Sequence, residues 1–168
     1  MFIMEKLFTK ENIIYGLILV FIFVLFKLVI LNAYIPSESM ENTMKKGDRL
    51  IGYRLTKEYK RGDIAIFRYD EKEYYIKRVI GVGGDVVVIK NNEVYVNGEK
   101  IDEPYVKEAW ESPDKEYKVP KGEYFFLGDN RNESADSRFW DYPYKKEKDM
   151  IAKAGFRYWP LNKIGFVK

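Results

Sequence analysis

The chain has 168 residues and a mass of 20.0 kDa, room for one membrane span and one ordinary domain but not for a second large one. Its 29 basic and 26 acidic residues are dispersed, and a net charge of +3 lacks the concentrated basic surface that a nucleic-acid partner requires. Neither Cys nor His occurs, which excludes thiol nucleophiles, disulfides, the usual zinc sites and a Ser-His-Asp triad, and leaves acid–base work to a Lys, Asp, Glu or Tyr.

A short tail, residues 1–12, precedes an apolar run from Ile13 to Leu31, IIYGLILVFIFVLFKLVIL, whose single charge is Lys27. That length is close to the roughly 20 residues needed to cross a bilayer core, so residues 13–33 are assigned as a transmembrane anchor. Lys27 lies near one end, where its stem can carry the ammonium to the interface. A cleavable signal sequence is the competing reading, since Lys6 and Lys10 come first, but LNAYIPSES offers no A-x-A-like cleavage site. Charge counts leave the orientation open, because Glu5 and Glu11 offset the two lysines.

From Pro36 to Lys168 the texture changes to short alternating runs, DRLIGYR, GDIAIFRY, EYYIKRVI and DVVVIK, separated by Gly-Asp or charged turns. This predicts a mainly β, antiparallel domain. Asn97-Gly98 predicts a type I′ hairpin, and KNNEV adds turn chemistry. DEPYVKEAWESPDKEYKVPK, residues 102–121, has three prolines and no sustained period, and reads as part of a cap excursion over about 90–121. EYFFLGD returns as a strand, and GDNRNESADSRFWD is too polar for a core element.

Of five serines, Ser112 falls in the Pro-rich excursion, leaving Ser37, Ser39, Ser134 and Ser137. PSES after an apolar helix reads more readily as a helix or turn cap than as a nucleophile. YYIKRVI places Lys77 and Arg78 mid-strand, and alternation turns one of them to the inner face without choosing which. Only a lysine can lose its proton on burial: an amine near ~10.4 can fall by about 3–5 units, into the range of a general base. A Ser activated by a buried Lys is therefore the hydrolytic arrangement this composition permits.

PSESMENTM, KKGDRLI, GDIAIF, YYIKRVIGVGGD and FFLGDNRNESADSRFW resemble, in order and behind an N-terminal anchor, the successive boxes of bacterial type I signal peptidases. The resemblance covers about residues 13 to 140. It implies a partial-barrel β catalytic domain that removes signal peptides from preproteins after small residues, with no cofactor or metal. It implies Ser39 as nucleophile and Lys77 as general base, with Ser37 and the Ser39 N–H forming the oxyanion hole. Ser134 corresponds to a serine that hydrogen-bonds and orients the lysine. Asp136 and Arg138 correspond to a structural ion pair, with Asp129 and Arg131 in the same supporting box. The implied setting is a single-pass protein of the bacterial cell membrane with its catalytic domain on the extracytoplasmic face, and the implied partners are preprotein signal peptides, the lipid bilayer and the secretion translocon, with no nucleic acid.

Two positions depart from the family pattern: Asn42 stands where S-M-x-P-T has proline, and Gly83 where G-x-P-G-D has it. Three rival readings follow. One is an assembly factor for surface or pilus proteins with narrow or no peptidase activity, the second a self-cleaving Ser–Lys repressor, which lacks a membrane span. The third is a tethered β domain for polar ligands. Trp140 is a candidate for dipping into the membrane interface or for the core.

Overall fold

A computed structural model describes residues 9–56 and 58–167. Most of the predicted tail 1–12 therefore lies outside the described residues. Helix α1, Lys10–Val29, is capped by the Thr9 hydroxyl, which accepts from the Asn12 N–H at 3.3 Å. It buries no residue against the rest of the chain, as expected of a helix apolar on every side whose solvent is lipid.

The helix ends two residues before the apolar run does. Ile30–Tyr34 is already strand β1, paired with β2 (Arg49–Tyr53) in the register Ile30↔Tyr53 to Tyr34↔Arg49. The Arg54 N–H also closes onto the Val29 carbonyl at 2.9 Å. Hydropathy cannot locate this boundary, because the last apolar residues serve an edge strand as well as they would a membrane helix.

β3 (Ile64–Arg68), β4 (Tyr74–Val82), β9 (Glu123–Leu127), β10 (Lys145–Lys146) and β11 (Met150–Trp159) complete the main antiparallel sheet, ordered β1-β2-β11-β3-β4-β9-β10, with β12 (Gly165–Phe166) on β11. The ten-residue β11, from a region that offered no motif, is central to it. One apolar cluster joins Ile35, Met40, Met44, Leu50, Ile64, Ile66 and Ile76; another joins Tyr59, Ala65, Phe67, Val79, Tyr124 and Phe126. Trp140 sides with the core, its ring 5.9 Å from Phe67 and 5.3 Å from Tyr69.

The excursion is more regular than its sequence. β5 (Val86–Lys90), β6 (Glu93–Val96), β7 (Glu99–Lys100) and β8 (Lys115–Lys118) form a second four-stranded sheet ordered β7-β6-β5-β8. Asn97 and Gly98 take φ of 54° and 86°, as a type I′ turn demands, and Asn91 and Asn92 take 51° and 61° at the preceding hairpin. β8 lies inside the stretch read as irregular: its charged residues face solvent and only Tyr117 enters the core.

Candidate functional site

Ser39 sits in the β1–β2 connection, which is closed at its base by Ile35 N–H to Asp48 O (3.0 Å) and Gly47 N–H to Ile35 O (2.9 Å). Met40 and Met44, both 0% exposed, pin this segment into the core beside Leu50 and Ile76. Each such burial is worth roughly 1.5–3 kcal/mol. Ser39 is thereby drawn against β4, where Lys77 Nζ donates to Ser39 Oγ at 2.7 Å across 38 residues of sequence. Both are 4% exposed, and burial lowers the Lys77 pKa from 10.5 to about 8 against the opposing pull of Asp136 and Asp129.

Ser37 is exposed, with its Oγ 3.3 Å from Ser39 Oγ. The Ser39 carbonyl accepts from Asn130 N–H at 3.1 Å, while its own amide donates to no backbone carbonyl among the described residues. A hydroxyl and an amide thus stand beside the Ser39 oxygen. Ser134 is buried, but the expected hydrogen bond to Lys77 is not formed: Lys77 Nζ bonds to Ser39, and Ser134 Oγ has no hydrogen-bond partner among the described residues. Ser134 packs over Gly128, where any Cβ would overlap both its side chain and the Ser39 carbonyl.

The polar box that looked unfit for a core is buried because it is paired. Asp136 and Arg138 form a two-point ion pair at 2.8 and 2.9 Å, and Asp136 also accepts from Gly128 N–H at 3.0 Å. Asp129 and Arg131 do not pair with each other. Asp129 accepts from Arg78 Nε at 2.8 Å and from the Thr43 hydroxyl, whereas Arg131 pairs with Glu103. Arg78 was the alternative to Lys77 for the inward position, and both are buried, at 2% and 4%, because both faces of β4 are covered.

The two departures from the family pattern have local explanations. Asn42 has φ of 87°, which proline, fixed near −65°, cannot adopt but asparagine tolerates. At Gly83 a Cβ would stand 2.9 Å from Gly122 N and 3.0 Å from Lys121 Cα, so the 120–122 backbone occupies the space a proline ring would need.

A groove of about 870 Å³ lies between β1 and β4. Its lining includes Leu28 at the end of α1, Ala33 and Ile35 on one side, and Tyr75 and Ile76 on the other. Among the described residues β1 pairs only with β2, and β4 meets β9 only from Arg78 onward, so both sides present unpaired backbone edges. Two contributors escaped the sequence reading. Thr43 had only its place in the family box as a signal. Arg157 had none, yet its guanidinium reaches the Thr43 carbonyl at 3.0 Å and Asp48 at 2.9 Å, clasping the Ser39 segment from β11.

A family model described as "Signal peptidase, peptidase S26" matches residues 9–159. The chain is 34% identical to signal peptidase IB of Staphylococcus aureus (strain MRSA252), with 97% of this chain and 95% of that protein aligned. It is 38% identical to signal peptidase I of Leptolyngbya laminosa over 79% of this chain and 70% of the relative. The crystal structure of a signal peptidase I from Enterococcus faecalis V583 superposes with a TM-score of 0.51 at 29% identity, covering 58% of this chain and 97% of that one. A β domain of this build behind an apolar helix is that of a membrane-anchored serine peptidase. The chain belongs to the S26 signal peptidase family, among the bacterial type I enzymes.

Proposed function

We propose that the chain is an endopeptidase that removes N-terminal signal peptides from secreted preproteins after small residues, with Ser39 as nucleophile and Lys77 as general base. The observation that carries this is the 2.7 Å contact between two buried groups, Lys77 Nζ and Ser39 Oγ, in a chain without histidine. Lys77, with a pKa of about 8, is neutral in an appreciable fraction of molecules near neutral pH. It takes the Ser39 proton as Oγ attacks the scissile carbonyl, then returns it to the leaving amine. The Ser39 N–H and the Ser37 hydroxyl supply the oxyanion donors, a contribution of about 2.7–4 kcal/mol per donor in comparable sites.

The substrate lies extended in the groove between the unpaired edges of β1 and β4, held by its backbone, with side chains directed at small apolar recesses. The groove begins beside Leu28, so a peptide leaving the bilayer enters at the membrane level. In the cell the domain faces the extracytoplasmic side, where preproteins emerge from the translocon. The test is cleavage of a preprotein bearing an A-x-A site by the full chain in detergent or lipid. Wild type cleaves and Ser39→Ala does not; a Ser39→Ala protein of full activity refutes the assignment, and a wild type inert on every preprotein favours an assembly role.

A further inference from the structure

The loop between β7 and β8, which carries DEPYV, contributes nothing to the dyad or the groove, yet it reaches back onto the arginines beneath them. The Tyr105 ring lies over the Arg78 guanidinium, with Cζ 3.9 Å from the ring centroid, and Tyr105 Oη donates to Glu103 Oε1 at 2.9 Å. Glu103 accepts from Arg131 Nη1 at 3.1 Å and from Nη2. Arg131 Nε donates to the Gly128 carbonyl at 3.1 Å, and its guanidinium stands 4.8 Å from the Trp110 ring.

Arg78 follows Lys77 directly on β4. Its edge is engaged by Asp129, by the Gly62 carbonyl at 2.8 Å and by Thr43 Oγ1 at 3.3 Å, and Thr43 belongs to the segment that carries Ser39. Four in-plane hydrogen bonds thus hold the guanidinium edge, and Tyr105 covers its face. A covered face keeps water from the Arg78–Asp129 pair and lowers the local dielectric, which tightens the link between β4 and the Ser39 segment.

We infer that Tyr105, steadied by Glu103, is a positioning residue: it clamps Arg78 so that the Arg78–Asp129–Thr43 link holds Ser39 Oγ against Lys77 Nζ. The inference rests on the peptidase reading above. A side chain that positions the nucleophile acts on the chemical step and not on substrate affinity, which separates this role from one of merely holding the lobe together.

The experiment compares wild type, Tyr105→Phe, Tyr105→Leu and Tyr105→Ala as full chains in detergent, with an A-x-A preprotein as substrate and Ser39→Ala as blank. Tyr105→Leu keeps apolar volume without a π face, so it remains informative should Tyr105→Ala not fold. The expected result is a kcat about tenfold lower in Tyr105→Leu with KM within about twofold, and near-wild-type kcat in Tyr105→Phe. A second readout needs no turnover: the Arg78 Nε–H resonance exchanges with water slowly in wild type and Tyr105→Phe and quickly in Tyr105→Leu. Wild-type kcat in Tyr105→Leu, an effect confined to KM, or slow Arg78 exchange in that variant overturns the inference. Absence of cleavage by wild type strikes the peptidase reading instead and leaves the exchange result to decide the clamp.

Discussion

Replacing Lys77 by Met keeps an unbranched side chain in a site 4% exposed but removes an amine that burial has lowered from 10.5 to about 8. In the unfolded chain that amine regains its ordinary value. Between about pH 8 and about pH 10.5 the unfolded state therefore binds more protons than the folded one, and this group makes stability rise with pH. Below about pH 8 both states are protonated, and the folded domain carries the whole cost of a buried ammonium, about 3 kcal/mol at about 1.4 kcal/mol per pH unit. From about pH 7 to about pH 9.5 the wild type should accordingly gain about 2 kcal/mol relative to Lys77→Met. The assay is urea unfolding of both full chains in detergent at several pH values, followed by the fluorescence of the three tryptophans, Trp110, Trp140 and Trp159, all in the β domain. The 14 tyrosines titrate in both proteins and cancel in the difference. A difference that stays flat across the range would show that Lys77 holds an ordinary pKa and would refute both the desolvation argument and the neutral base built on it.

The same pKa predicts kcat/KM for preprotein cleavage that falls about tenfold per pH unit below about pH 7 and levels off above about pH 8; a profile flat down to about pH 5 would remove Lys77 as the base. Asn42→Pro, at a φ of 87°, should cost about 3 kcal/mol or more in the same unfolding assay, whereas Asn42→Gly should be neutral or slightly stabilising. Asp129→Ala removes the carboxylate that balances the buried Arg78 charge and should destabilise by about 3–5 kcal/mol, read as a lowered urea midpoint at unchanged slope. Arg157→Met, which releases the Thr43 carbonyl and Asp48, should lower kcat of cleavage several-fold; wild-type kcat would show that the clasp is dispensable.

Much of the site was legible because a few residue types had few alternatives. With no histidine or cysteine, Lys77 inside an apolar strand was a candidate base, the resemblance to the family boxes implied Ser39 as its partner, and the two stand 2.7 Å apart. What remained hidden depended on which faces are covered. Alternation demanded that either Lys77 or Arg78 face inward, but β4 is buried on both sides and each found a partner. The 129–138 box looked unfit for a core because it is polar, and its buried charges, Asp129, Arg131, Asp136 and Arg138, are tolerated because each meets an opposite charge at fixed distance.

The sequence by itself settled the apolar anchor, the antiparallel β domain, the Asn-Gly hairpin and the residue types available for catalysis, since these follow from local periodicity, turn chemistry and composition. Tertiary structure alone decided that the helix stops at Val29, that β11 is central to the sheet, that Ser134 is buried without bonding Lys77, and that Asn42 needs a backbone conformation proline cannot take. Those outcomes turn on what packs against each residue from far along the chain, and neither hydropathy nor spacing encodes that.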